Sequence, residues 1–307
     1  MRIVNQEKAF HPLYNYALIT DSEEGLILTN IDTLADGEPR NNFLERALTW
    51  NEGGVLTGAR DISVGGHFAY IVVEDGVAII DLDEPLQPRH VKTIPMQAPR
   101  ALVQQFRFLF VTDAEGLKVI DITDPAVAFV VEGNTIPIKD AHKVFVARTY
   151  AYVAAGADGI YIVDVTQPQK MQLYQQFTDN IVDARDIVVA TTNASLMAYV
   201  ADGRAGLKVI QLTSPESQPR YYGFSPEPMP ETISSFATKR PAIALSRGLE
   251  RDRAVDETGG QVAVFSRVGA GPLSESDMRS LYLNEDGKPW FVTDKMPTKP
   301  TPVMEKQ

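Results

Sequence analysis

One short pattern returns along this chain and limits its fold more than any other feature. A glycine leads an alternating apolar strand, a polar acceptor ends the strand, and a proline closes the turn. The clearest copy is Gly116-Leu117-Lys118-Val119-Ile120-Asp121-Ile122-Thr123-Asp124-Pro125. Others are Gly76-Val77-Ala78-Ile79-Ile80-Asp81-Leu82 with Pro85, Gly159-Ile160-Tyr161-Ile162-Val163-Asp164-Val165-Thr166-Gln167-Pro168, and Gly206-Leu207-Lys208-Val209-Ile210-Gln211-Leu212-Thr213-Ser214-Pro215. Weaker copies start at Gly25 and Gly260. The equivalent apolar positions Leu26, Val77, Leu117, Ile160, Leu207 and Val262 are 51, 40, 43, 47 and 55 residues apart. Repeats at this period are the signature of a solenoid, propeller or array.

The unit beginning at Ala59 shows what one period contains. Asp61-Ile62-Ser63-Val64 alternates and stops at Gly65-Gly66, and Phe68–Val73 is rich in β-branched and aromatic residues. Glu74-Asp75-Gly76 is a tight turn. Val77–Leu82 is the third strand, Pro85 and Pro88 mark a loop, and His90–Ile94 is the fourth. Four short strands per unit at this period predict an all-β fold, a β-propeller of four-stranded antiparallel blades. Helical repeats are excluded by the near-two periodicity. Six copies predict six blades, or seven if the first unit is split between the termini. The ring must close, because open ends would expose sheet edges. Arg2-Ile3-Val4 and Leu281-Tyr282-Leu283 are the candidate closing strands. The propeller is expected to span residues 1–294 as one domain, with 295–307 as an extended, proline-rich tail. Two insertions interrupt the rhythm. Asn41–Leu48 has the pattern of a capped helical turn, and the charge-rich segment from Arg247 to Gly260 reads as a solvated loop.

Composition narrows the partners. In 307 residues, 29 basic against 40 acidic side chains give a formal charge of −11, which argues against a phosphate-tracking surface and so against nucleic acid. There are no cysteines, so disulfides, thiolate nucleophiles, iron–sulfur clusters and cysteine-attached haem are excluded within these residues. No apolar stretch approaches the length of a membrane helix, so no membrane insertion is expected. The opening residues lack the apolar core of a signal peptide.

The segments GLKVIDITDP, GIYIVDVTQP and GLKVIQLTSP, each preceded by a strand such as TYAYVAAGADG or AYVADGRAG, resemble the LVIVD-repeat family of β-propellers. The resemblance is clear from about Ala59 to Pro215. It implies an extracytoplasmic or cell-surface protein of bacteria or archaea, at the periplasm or cell surface. Some relatives accompany multihaem c-type cytochromes, which implies a scaffold or docking role in extracellular electron transfer. Without Cys-x-x-Cys-His this chain could accompany such a haem protein but not carry the haem.

Candidate functional residues follow from position in the repeat. Asp81, Asp121 and Asp164 recur at one place, which Asn30 and Gln211 share. A side-chain acceptor there bonds backbone N–H groups of the following turn, a structural duty. The start of each leading strand is different, because in a propeller that strand lines the central channel. Ala59-Arg60-Asp61, Pro99-Arg100-Ala101, Asp140-Ala141-His142-Lys143 and Asp183-Ala184-Arg185-Asp186 lie there. Ser234-Ser235-Phe236 is expected to play this part in the sixth unit, and His11 in the first. The channel mouth should therefore gather Arg60, Asp61, Arg100, Asp140, His142, Lys143, Arg185 and Asp186. The bland reading is a salt-bridged lining. The sharper one is an anion or small-molecule site with Arg60, Arg100 and Arg185 as bidentate donors. A metal held by His142, Asp140, Asp61 and Asp186 is disfavoured by the neighbouring cations.

No recognised catalytic template occurs. His-Glu-x-x-His, Gly-x-Ser-x-Gly, Walker and Gly-x-Gly-x-x-Gly motifs are all missing, and no catalytic residues, metal or resident cofactor are expected. The expectation is a non-enzymatic interaction or scaffold module with a protein partner, in an extracytoplasmic assembly. The alternative is a hydrolase or lactonase with its site at the channel mouth, by fold analogy alone.

Overall fold

The computed structural model describes residues 11–32, 43–191, 195–219 and 225–246, together with 267–268, 271–272 and 286–287. Within them every strong glycine-led copy forms a strand hydrogen-bonded on both sides. The first sheet runs β1 (Tyr16–Asp21), β2 (Gly25–Asn30) and β3 (Glu45–Trp50). The second runs β4 (Asp61–Gly65), β5 (Phe68–Val73), β6 (Gly76–Asp81) and β7 (Arg89–Pro95). The third has β8 (Ala101–Gln105), β9 (Phe108–Thr112) and β10 (Gly116–Asp121), with two short strands, β11 (Phe129–Val130) and β12 (Ile136–Pro137), on the edge of β10. The fourth is β13 (Val144–Ala147), β14 (Tyr150–Ala154), β15 (Ile160–Asp164) and β16 (Gln172–Phe177). The fifth is β17 (Asp186–Thr191), β18 (Leu196–Ala201), β19 (Leu207–Thr213) and β20 (Glu231–Phe236). All pairings are antiparallel, and among the described residues the helical pieces are single 3-10 turns such as Pro12–Asn15. Among the described residues, these five sheets are blades of a β-propeller.

Packing explains why the blades need one another. Along β5, Ala69, Ile71 and Val73 join Leu26 and Leu28 of the first blade, while the alternate residues Tyr70 and Val72 join Leu109 and Val111 of the third. Phe110 and Val119 meet Val144, Val153 and Val163 across the next interface. Tyr152 and Ile162 meet Ile187, Val200 and Ile210 across the one after. The middle strands are thus buried on both faces, and each fully buried aliphatic side chain contributes roughly 1.5–3 kcal/mol. One twisted sheet could cover only one face, so stacking neighbours supply the other.

The repeat residues have local reasons. A Cβ placed on Gly76, Gly159 or Gly206 would lie 2.2 Å from the carbonyl oxygen of Ile94, Phe177 or Phe236, and on Gly116 it would lie 2.1 Å from that of Ile136. The leading glycine therefore lets the outermost strand close against the third strand, whatever its φ. The recurring acceptor works as expected in the first four blades, whereas Gln211 of the fifth lies inside a strand that runs on to Thr213. Asp81, Asp121, Asp164 and Asn30 take the N–H two residues on, from Asp83, Thr123, Thr166 and Asp32, at 2.8–2.9 Å.

Three expectations are corrected. Glu45–Leu48 belongs to β3 and is not helical, because Leu48 and Trp50 pack on the core shared by the first two blades and β2 pairs with this stretch. Asn41 and Asn42 lie outside the described residues. Ser234-Ser235-Phe236 does not lead a blade: it ends β20, the outermost strand of the fifth. His11 is not at the channel mouth. It caps the 3-10 turn through Leu13 N–H, with its ring 6.5 Å from that of His67, at the end of β4 opposite Asp61. The sixth glycine-led copy, both candidate closing strands, the segment from Arg247 to Gly260 and the tail 295–307 lie outside the described residues.

Candidate functional site

Four backbone hydrogen bonds define the mouth. The N–H groups of Arg60, Arg100, His142 and Arg185 donate to Val72, Thr112, Ala154 and Ala201, the last residue or last but one of each second strand. These four side chains therefore occupy one repeat position on four consecutive blades, and β4, β8, β13 and β17 neighbour one another in that order. The next residues, Asp61, Ala101, Lys143 and Asp186, form a second tier one step deeper. Together with Ile243 and Ala244 these eight residues line a cavity of about 270 Å³. The structure thus brings seven of the eight sequence-predicted residues to one cavity. The remaining one, Asp140, does not line the cavity but holds two of the others, Arg100 and His142.

The upper tier is cross-linked. Arg100 Nη1 donates to Asp140 Oδ1 and to the Ala141 carbonyl, both at 2.8 Å. Asp140 Oδ2 is 3.1 Å from His142 Nε2, which is also 3.1 Å from Arg185 Nη1. One ring nitrogen is either donor or acceptor, so only one of these contacts is a hydrogen bond at a time. Arg185 Nε pairs with Asp183 Oδ1 at 2.7 Å. Arg60 is the exception: its Nε donates to the Gly58 carbonyl at 3.1 Å, and no carboxylate among the described residues pairs with it.

The lower tier spans the channel. Lys143 Nζ donates to Asp61 Oδ1 at 2.6 Å, from the fourth blade to the second. Alanine at position 101, on the blade between, leaves that path open. Asp61 Oδ2 accepts the Leu102 N–H, and Asp186 Oδ2 accepts the Leu245 N–H, each at 2.8 Å. Both aspartates therefore clip the next inner segment of the ring. Asp186 is buried. Burial pushes its carboxyl above the ordinary value, against the pull of the Leu245 and Ile187 N–H groups and of Lys143. Burial acts the same way on Asp140, but the hydrogen bonds from Arg100 and His142 outweigh it and hold that carboxyl below the ordinary value.

Metal chemistry finds no cluster here. Among the described residues no three His, Asp or Glu side chains converge at ligand spacing, so His142, Asp140, Asp61 and Asp186 do not form the set considered from the sequence. Each of these carboxylates is turned toward a cation, an imidazole or a backbone N–H.

Two parts of the site escaped the sequence. Asp183 matches Asp140: a Cβ on Gly203 would fall 2.5 Å from Asp183 Oδ2, as one on Gly156 would fall 2.4 Å from Asp140 Oδ2. The shared Asp-Ala pairs, Asp140-Ala141 and Asp183-Ala184, carried that signal. The second part is Ile243-Ala244. Ala242 bridges Gly203 as Ala184 bridges Gly156, so this stretch, and not Ser234–Phe236, supplies the fifth inner position.

Comparisons agree with this architecture. The LVIVD repeat profile matches residues 58–93, 107–132 and 138–179, which fall in the second, third and fourth blades. A functionally unknown protein from Desulfotomaculum acetoxidans DSM 771 is similar in structure, at 14% identity and a TM-score of 0.54, covering 76% of this chain and 72% of its own. A putative 6-phosphogluconolactonase from Bacteroides uniformis ATCC 8492 is similar at 14% identity and a TM-score of 0.54, covering 73% of this chain and 68% of its own. At such identity these likenesses concern the fold. No curated protein matches the sequence significantly. Among the described residues, no helix is long and apolar enough to cross a membrane.

Proposed function

We propose that this propeller, built in part from LVIVD repeats, is a non-enzymatic interaction module that receives a partner on the face bearing the channel mouth. The observation that carries this reading is how the mouth uses its charges. Asp61, Asp140 and Asp186 are committed to holding Lys143, Arg100 and the backbone of the next inner segment. What remains presented to the cavity is cationic, Arg60 above all, on a rigid scaffold. Preorganised donors of this kind bind and orient acidic groups, and propellers carry such features on loops and mouths held by rigid blades.

The LVIVD resemblance supports an extracytoplasmic setting, periplasmic or at the cell surface, and a multihaem c-type cytochrome as the protein partner. With no cysteine in these residues, covalent haem would belong to the partner. Affinity capture from native membranes and culture fluid, run with the wild type and with Arg60→Glu, tests the reading. Retention of a haem-staining protein by the wild type and its loss with Arg60→Glu is the expected result. A chain recovered alone in both cases overturns it.

The competing reading is a hydrolase, lactonase-like in class, working at the same mouth. The observation in its favour is His142, an imidazole that lines the cavity with a carboxylate 3.1 Å behind it. Turnover of sugar lactones by the wild type, abolished by His142→Ala, would establish it in place of the docking role.

A further inference from the structure

Resting on the docking reading above, we infer that the mouth binds a small monocarboxylate bearing a short apolar group, its carboxylate on Arg60 and its apolar end against Ile243 and Ala244. Three of the four cations in the cup are already met, Arg100 by Asp140, Arg185 by Asp183 and Lys143 by Asp61. Arg60 uses only Nε, on a carbonyl, and its terminal N–H pair meets no carboxylate among the described residues. A guanidinium with an open fork takes a planar carboxylate by two parallel hydrogen bonds. One open fork suits one negative charge, because a second would fall against the carboxylates of Asp61 and Asp186 one tier below. Arg185 is the natural second donor. When His142 Nε2 donates to Asp140, the Arg185 Nη1 that stands 3.1 Å away has no acceptor there and is available to the cavity.

The apolar half of the assignment comes from the break in the ring. Four successive inner positions carry Arg60, Arg100, His142 and Arg185, and the fifth carries Ile243, 70% exposed although large and apolar. Ile243 and Ala244 are thus an apolar part of the cavity lining, which the apolar end of a ligand would cover. Size limits the ligand. A cavity of about 270 Å³ has room for a carboxylate of a few carbons. The Lys143–Asp61 bridge crosses the channel one residue deeper, so a long chain would not thread through.

Titration of the purified chain with butyrate, followed by calorimetry and by amide NMR shifts, tests this. Succinate, inorganic phosphate, acetate and butanol serve as comparisons. Butyrate should bind saturably and about tenfold more tightly than succinate, phosphate or butanol. Arg60→Gln, at an exposed residue without an ion-pair partner among the described residues, should weaken butyrate binding about tenfold. Ile243→Ser should leave butyrate and acetate within about twofold of each other. Butyrate binding no tighter than phosphate or butanol, or unchanged by Arg60→Gln, overturns the inference. A short peptide ending in Leu with a free carboxylate, set against its amidated form, separates the sources. Tight binding of the free-acid form alone points to a partner's C-terminus, and binding of butyrate but of neither peptide points to a free small acid. If butyrate fails while Arg60→Glu still abolishes partner capture, the ligand assignment falls and the docking role stands. If butyrate binds while capture is indifferent to Arg60, the docking role falls.

Discussion

The fourth and fifth blades share a loop and differ in what lies under it. In the fourth, the Ala155 N–H donates to the Gly159 carbonyl and Gly156 bridges Ala184. In the fifth, the Asp202 N–H donates to the Gly206 carbonyl and Gly203 bridges Ala242. The backbones match, yet the fourth blade combines Ala155 with Tyr161 where the fifth combines Asp202 with Lys208. Asp202 is fully buried, and Lys208 Nζ lies 3.8 Å from its Oδ2, close enough to pair but not to hydrogen-bond. The third blade repeats the charged solution: Lys118 Nζ is 2.8 Å from the buried Asp113 Oδ2. Side chains thus change in matched sets, and a buried carboxylate arrives with its lysine. Such a pair is weak grounds for stability, since desolvation offsets the attraction. Its use shows in Asp202 Oδ1, which accepts the N–H groups of Val182 and Asp183 at 2.9 and 2.6 Å. That fixes the loop whose Asp183 holds Arg185. The fifth blade carries buried charge to position a mouth residue, and the fourth holds the equivalent Asp140 without it.

The severest way to break this comparison is Lys208→Met. It leaves the Asp202 carboxylate buried with no cation, which should cost about 3 kcal/mol in denaturant unfolding. The double variant Asp202→Ala/Lys208→Tyr copies the fourth blade and should lie closer to wild type than the single one. A double variant no more stable than Lys208→Met would show that the two positions are not a set.

Lys143→Met probes the lower tier with a smaller effect. Asp61 keeps the Leu102 N–H, and Lys143 is itself 36% exposed, so about 1 kcal/mol or less should be lost. The loss should shrink further in high salt. A larger loss, insensitive to salt, would mean that the bridge across Ala101 stands in for packing.

Most of the scaffold was legible because its causes are local. Period-two alternation, the glycine that a third strand needs beneath the outer carbonyl, and the acceptor two residues before a turn N–H each act within one copy. The site was legible for a related reason. Arg60, Arg100, His142 and Arg185 hold one repeat position, so locating it once located it four times. What was missed depends on contacts between copies. Ser234–Phe236 looks like a leading strand until its pairing with β19 is known, and Ile243 looks like loop until Ala242 is seen bridging Gly203. Asp113–Lys118 and Asp202–Lys208 were hidden because a lysine in an alternating strand reads as solvent-facing, and only the fold shows a carboxylate beneath it.

The smallest expected effect concerns the turn acceptor, a carboxylate in the second, third and fourth blades and Asn30 in the first. Asp121 accepts from the Thr123 N–H at 2.9 Å and from its hydroxyl. Burial works to raise its carboxyl, but these two bonds, with Arg107, bring it below the ordinary value of 3.8. A carboxyl lowered in the folded state stabilises the fold above the unfolded value, and that contribution is lost as pH falls through the lower folded one. Asp121→Asn keeps an acceptor for the turn and removes the charge, moving the third blade toward the first, where Asn30 accepts the turn N–H. Melting followed from about pH 6 to about pH 2 should show the variant slightly less stable at the upper end, with the gap closing below about pH 4. A gap that stays constant across this range would mean that the acceptor serves the turn without its charge, as Asn30 does in the first blade.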